Sequence, residues 1–238
     1  RMEIKTMDFF EVINMRRSVR RYTETKVPDE VIRKALDAAL KAPNSSNMQA
    51  WEFYWVKSPE NKSALVDACL FQGTARQASH LIVAVSRIDT WKRNRDLLIQ
   101  QMQKDAPITG QIKDYYYKII PLLYTQDPFG ILGTLKYLIL NTVGLFRPIF
   151  RRPAHRSDLF EVVTKSTALA CENFMLAIAA QGFGSCPMEG FDEHRVKKIL
   201  KLNYQSRVVM VISVGEPAHD GIFGPQYRID PKLVVHEV

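Results

Sequence analysis

The stretch STALACENFMLAIAA (166–180) is apolar nearly all round and rich in small residues, and it lies inside a helical pattern running over 158–181. A helix with no polar face offers nothing to water, so this one is expected to be buried on every side, in a core or a subunit interface. The rest of the chain has to wrap it. Gly182 follows as its stop, because glycine takes the left-handed conformation that closes a helix without a Cβ penalty. With 238 residues, 46% apolar and 24% charged, the chain can build such a core and fits one domain better than two. The same figures exclude disordered and collagen-like classes.

The remaining pattern alternates helices and strands. Residues 8–21 read as a helix that ends in arginines, with Asp8 and Glu11 placed as a capping box. Pro28 suits the first turn of a second helix, in which Val31/Ile32, Ala35/Leu36 and Ala39/Leu40 repeat at helical spacing. FYWV (53–56), LIVAV (81–85) and VVMVISVG (208–215) read as buried strands. By length, a helix of about one or two turns fits between the first two. GFGSCPMEG (182–190) reads as a loop, and Asp192 caps a helix carrying Val196, Ile199 and Leu200. The pattern defines an α/β or α+β protein.

The net charge of +8 is unevenly placed: residues 91–156 hold 11 Lys/Arg against 4 Asp/Glu, while the rest of the chain is nearly balanced. A basic excess confined to one segment argues against a nucleic-acid binder, which also lacks a recognition motif here. Cys69, Cys171 and Cys186 form neither a CxxC pair nor a disulfide framework, and the five histidines lack metal-ligand spacing. No metal is expected. The N-terminal RMEIKTMDFF has no signal-peptide apolar run, and the cysteine usage suits a reducing, cytoplasmic compartment.

Three segments could carry chemistry. RRSVRR (16–21) concentrates four arginines and a serine; guanidinium groups bind phosphate oxygens in pairs, although a solvated basic face would look the same. APNSSNMQAW (42–51) crowds donors and acceptors into ten residues, as a strand-capping loop also would. CPMEG (186–190) exposes backbone N–H groups and allows close approach at Gly190, or is simply a tight turn. Glu189 has no spaced partner that would make it a general base.

Taken in order, R-R-S-x-R, then A-P-N-S-x-N-x-Q-x-W, then P-x-E-G about 140 residues later resemble the FMN-binding nitroreductase family over residues 8–88 and 158–238. The Gly-Phe-Asp from Gly190 to Asp192 and the late Arg228 fit as well. No GxGxxG, Walker loop, GxSxG or HExxH competes.

The resemblance implies an α+β sandwich with a central, mainly antiparallel sheet flanked by helices, built as an intertwined homodimer over 1–238 with two FMN sites at the interface. Arg16, Arg17, Ser18 and Arg20 would hold the FMN phosphate, ribityl chain and pyrimidine edge, and Arg228 the phosphate. Pro43, Asn44, Ser45 and Asn47 would reach the flavin from the other protomer. Pro187, Met188, Glu189 and Gly190 would lie beside the isoalloxazine ring, with Gln72 as the amide contact to its edge. The family often has lysine where this chain has Gln226, and proline where it has Ala50.

The activity implied is reduction of nitroaromatic or quinone-type acceptors by NADH or NADPH, with the flavin taking hydride and no side chain assigned as catalytic. Alternatives are reductive dehalogenation or a specialised dehydrogenation in the same family, or flavin binding without turnover.

Residues 89–157 separate the two family-like parts as a basic, partly apolar insertion. FGILGTLKYLILNTVGLFRPIFRRP (129–153) is strongly apolar but interrupted by Lys136, Asn141 and Arg147, which argues against a membrane span. The preferred reading is a lid lined by Phe129, Leu132, Leu135, Leu138, Leu140 and Phe146 that shapes the acceptor pocket. The other is an interfacial helix on a membrane surface.

Overall fold

The computed structural model describes residues 8–238. Four strands, β1 (Trp51–Val56), β2 (His80–Arg87), β3 (Gly184–Met188) and β4 (Ser206–Gly215), form one sheet in the order β1-β2-β4-β3, every pair antiparallel. Helices α1 (Phe9–Met15), α2 (Asp29–Ala39), α3 (Pro59–Ala68) and α4 (Gly73–Gln77) belong to the first part of the chain. Then come α5 (Trp91–Asp105), α6 (Gly110–Asp114), a π turn (Tyr115–Ile119), α7 (Ile120–Tyr124) and α8 (Ile131–Val143). The long α9 (Arg156–Ala180) and α10 (Glu193–Ile199) complete the helices of four residues or more.

Alternation along the strands gives the sheet two apolar faces. Ile82, Ala84, Met210, Ile212 and Val214 pack under α2 and α9, against Ile32, Ala35, Phe174 and Ile178. Leu81, Val83, Val85, Val208 and Val211 pack under α3, α4 and α10, against Leu65, Ala68, Ala75 and Val196. Val208 and Val211 reach the same face because the register slips between Ala84 and Val85, where a bulge adds a residue to β4. The result is an α+β sandwich, with a third core joining α5 and α7 to the start of α9 through Trp91, Ile120, Tyr124, Leu159 and Phe160.

α9 starts as the pattern predicts and stops at the glycine: Gly182 has φ +82°, and the Gly182 and Phe183 amides close the last turn onto Ala179 and Ile178. Its burial is one-sided in this chain. Glu161, Lys165, Leu169 and Glu172 form an exposed stripe at spacings of four, four and three residues, so the expectation of burial on every side holds only for the core-facing side. α9 is long and apolar enough to cross a membrane by composition, yet it is the central helix of the fold, packed on α2 and the sheet.

Three other expectations are corrected. The first helix ends at Met15, not at the arginines, because residues 18–22 find better backbone partners in extended form: the Val19 amide donates to Ser185 O (3.0 Å) and the Arg20 amide to Gly221 O (2.7 Å). Residues 184–188, read as loop, are edge strand β3, whose outer side that same extended segment covers. Between β1 and β2 lie α3, ten residues long, and α4, more helix than one or two turns. Pro28 stands one position earlier than expected, at the N-cap of α2. The Asp8 and Asp192 caps form as read.

Candidate functional site

The arginine segment is clamped in place from below. Tyr22 buries its ring over Gly215, where an added Cβ would come within 2.5 Å of the ring, and its hydroxyl bonds the Ser213 hydroxyl (2.8 Å). Ser213 in turn bonds Thr74 Oγ1 at 2.8 Å, and Thr74 donates to Val19 O at 3.3 Å. This buried hydroxyl chain joins the arginine segment, β4 and α4. Burial pushes the Tyr22 phenol up to about 12, so it stays protonated and donates throughout the neutral range.

Above this network opens a cleft of 710 Å3. Arg20 and Arg21 come from the arginine segment, Gln72, Gly73, Thr74, Arg76 and Gln77 from α4 and its N-cap, and Cys186, Pro187, Met188 and Glu189 from β3 and its end, together with Phe223. Four of the sequence-marked residues therefore meet around one space in company with Gln72: Arg20, Pro187, Met188 and Glu189. Gly190 joins them through the Gln72 side-chain amide, which donates to its carbonyl at 2.6 Å. A Cβ at Gly190 would lie 3.3 Å from that amide, and one at Gly73 would meet nothing within 4 Å. Neither the Glu189 nor the Gly190 N–H has a hydrogen-bond partner among the described residues.

The cations of the cleft are not equivalent. Arg21 pairs with the Asp220 carboxylate. Arg20 faces no carboxylate among the described residues; its guanidinium lies over the Phe223 ring and reaches only the Ser18 carbonyl, at 3.4 Å. Cys186 is no nucleophile at neutral pH: burial pushes its thiol up, more strongly than nearby Arg20 pulls it down. The Glu189 side chain is exposed, and no hydrogen bond or ion pair holds it among the described residues.

The other marked residues lie apart from this cleft. Arg16 and Arg17 line a smaller crevice of 130 Å3 on the far side of Val19, with Gly184 and Ser185. Arg16 stands 3.9 Å from Glu172 on α9, and Arg17 donates to Gly224 O at 2.8 Å. Ser18 bridges to Ser185 between the two spaces. Pro43, Asn44, Ser45 and Asn47 form a separate knuckle. There Asn44 Oδ1 accepts from the Gln49 amide (2.8 Å), the Ser45 amide donates to Ser166 on α9 (3.2 Å), and Ser46, Asn47 and Gln49 all have positive φ. Three such residues in a row of four store strain of about 1–3 kcal/mol each. Arg228 lies on an exposed C-terminal arm and donates only to the neighbouring Tyr227 carbonyl.

Sequence reading missed Thr74, Arg76, Gln77 and Phe223 in the cleft wall and the Tyr22–Ser213 network beneath it. Only the Tyr22–Gly215 approach left a trace, a bulky ring matched by a glycine, and nothing in the sequence pairs the two.

The lid expectation is also altered: no residue of 89–157 lines the cleft of its own chain. Of the six proposed lining residues, Leu140 is buried and Phe129, Leu135, Leu138 and Phe146 face outward.

The site is thus a cationic cleft at one edge strand of an α+β sandwich, walled by a basic N-terminal segment and the P-x-E-G stretch. The Nitroreductase family profile matches residues 13–216, and the chain belongs to that family. A "NADH dehydrogenase" of Thermus thermophilus is 27% identical over 220 residues, covering 92% of this chain and 91% of that one. Iodotyrosine deiodinase 1 of Sus scrofa is 40% identical over 220 residues, covering 91% of this chain and 63% of the relative. Among solved structures, a protein of Exiguobacterium sibiricum provisionally described as a nitroreductase, in complex with FMN, superposes with a TM-score of 0.73 at 21% identity over 98% of both chains.

Proposed function

We propose that this chain is an FMN-dependent oxidoreductase that draws electrons from NADH or NADPH and delivers them to nitroaromatic or quinone-type acceptors, working as an intertwined homodimer. The observation that carries the reading is the convergence of Arg20, Gln72 and the Pro187–Gly190 turn on one cleft from three distant parts of the sequence. The donors present suit a flavin. Two backbone N–H groups, at Glu189 and Gly190, have no hydrogen-bond partner among the described residues and could meet the acceptor-rich edge of such a ring, an unneutralised guanidinium lines the same cleft, and Gly73 leaves room there. FMN, when bound, supplies hydride acceptance and release, chemistry that no side chain of this cleft provides.

In this reading Arg20 stabilises negative charge at the pyrimidine edge, where charge develops on reduction. Gln72 is held by Gly190 O and so presents its remaining amide atoms in a fixed direction. Arg16, Arg17 and Ser18 would hold the ribityl and phosphate end. Glu189 contributes its backbone, and its carboxylate moves no proton.

The knuckle at 43–47 and Arg228 lie away from this cleft in one chain, which supports their acting on the cleft of a second copy. Two more features support the dimer. Every residue of 222–238 is exposed, including Tyr227 at 81%, Leu233 at 69% and Val235 at 66%. A run of apolar side chains without cover on its own chain is suited to a partner's surface. The outer edge of β1 is also free of strand pairing, an opening for backbone hydrogen bonds.

The purified protein is expected to be yellow and to release FMN, not FAD, on denaturation. Absence of flavin together with no uptake of added FMN sinks the reading. Light scattering is expected to give twice 27.3 kDa; a monomer that holds FMN tightly would show that each site is complete in one chain. Likeness to iodotyrosine deiodinase 1 favours one second reading, reductive dehalogenation. Anaerobic bleaching by NADH or NADPH, followed by reoxidation with a nitroaromatic or a halogenated phenol, separates the two, and a flavin carrier without turnover would stay yellow.

A further inference from the structure

The outward face of α8 carries no charge. Between Pro128 and Phe146 the sequence holds a single ionisable side chain, Lys136 apart from tyrosine, and Lys136 is turned inward, buried, with its ammonium donating to Thr125 O at 2.6 Å. The helix rests on its other side: Gly133 and Leu140 face the body, and a Cβ at Gly133 would come within 3.2 Å of Ala154 O. Outside lie Ile131, Leu135, Leu138 and Ile139, with the uncharged Thr134, Tyr137 and Thr142 beside them, continued at the two ends of the helix by Phe129, which is 87% exposed, and Phe146, 85% exposed. The spacing of four, three and one residues puts the four aliphatic side chains on one stripe.

Cations follow the C-terminal end of this stripe, while at its start the Asp127 carboxylate is taken up by the Phe129, Ile131 and Leu132 amides. Arg147 and Arg152 are exposed and make no ion pair among the described residues. Arg151, between them, closes the end of the helix by donating to Gly144 O at 2.6 Å. No carboxylate lies on α8 or in 144–155.

The geometry points to α8 as a docking face for an anionic lipid surface, with the aliphatic stripe and the two phenylalanines entering the headgroup region and the arginines meeting lipid phosphates. Three occupants compete for such a face, and charge decides between them. A second copy packed symmetrically on it would bring two arginine rims together from segments that each carry a net +7 over 91–156. An anionic surface neutralises the same rim, and each cation held near one strengthens partition about fivefold. The chain's own cleft is excluded, since α8 contributes nothing to its walls. Length fixes the mode of contact: thirteen residues reach about 20 Å, short of the roughly 30 Å hydrocarbon core, so the helix lies in the interface and does not span. A face of this kind would give the protein access to lipid-dissolved acceptors.

The test is flotation of the full-length protein with phosphatidylcholine vesicles, with and without phosphatidylglycerol. The protein is expected to float with the anionic vesicles, to remain behind with pure phosphatidylcholine, and to be released by high salt, which screens exposed charge. R147A with R152A should lower partition about twenty-fivefold, at fivefold for each cation. F129S with L138S, at exposed positions where folding is not at stake, should abolish flotation while leaving the light-scattering mass and the flavin content unchanged. Equal affinity for neutral and anionic vesicles, or none for either, overturns the proposal. So does a fall in oligomeric mass in F129S/L138S, which would assign the face to a second copy, or a change of acceptor selectivity in that variant without any vesicle binding, which would assign it to a lid.

Discussion

Phe174→Ala is expected to lower the unfolding free energy by about 3–5 kcal/mol, the range for removing a buried aromatic ring. The ring is fully buried in α9, between the sheet face at Ile82 and Ile212 and helix α2. Its helical neighbours are small: Ala35 and Ala39 on α2 and Ala170 on α9 hold the two helices close. Small residues already in contact cannot move further in, so the cavity left by the ring would stay open, and an open cavity gives the upper part of the range. Urea unfolding reads the change as a shift in midpoint at constant slope. Leu145→Ala, at a position 76% exposed, should stay within about 0.5 kcal/mol. A loss at Phe174 below about 1 kcal/mol would mean that the packing around α9 relaxes, and α9 would not be the rigid centre of the fold.

That centre is the part of the protein most legible in the sequence. A fifteen-residue apolar run with a glycine behind it admits few alternatives to a core helix, and the short apolar runs at 53–56, 81–85 and 208–215 fall inside strands that extend to 51–56, 80–87 and 206–215. Periodicity reported local packing faithfully because burial dictates it. It failed where backbone partners come from far away. RRSVRR is a good helix end by composition, and nothing local reveals that Ser185 and Gly221 offer its amides better partners. GSCPM (184–188), within the stretch read as a loop, is likewise unremarkable by composition, and becomes a strand because β4 lies beside it. The three motifs were found because each is dense in unusual residues. Their division in this chain, with Arg20, Gln72 and the 187–190 turn in one cleft and the 43–47 knuckle and Arg228 elsewhere, is a matter of topology that spacing does not encode. Arg76 and Phe223 were missed for the same reason: each is an ordinary residue until the fold brings it to the cleft.

Arg20→Ala is expected to weaken FMN binding roughly ten- to a hundredfold, the loss of one charge-assisted contact of about 1.5–3 kcal/mol, while Arg21→Ala next to it should change FMN affinity little. The two side chains share a segment, a cleft and an aromatic neighbour in Phe223. They differ in compensation. The Arg21 charge is already met by Asp220, and solvent screening at that exposed position leaves little field over for a ligand. Arg20 has no carboxylate partner among the described residues, and its guanidinium lies over the Phe223 ring. An unneutralised cation keeps its field for an anionic ligand. The contrast also controls for stability, since Arg21→Ala removes an ion pair and Arg20→Ala removes none. Fluorescence titration of the apoprotein with FMN gives both dissociation constants, and the far-ultraviolet spectrum checks the fold. Comparable losses at the two positions would show that the cleft attracts FMN through its summed charge, without a dedicated contact. A large loss at Arg21 alone would move the flavin to the Asp220 side and reverse the orientation proposed for it.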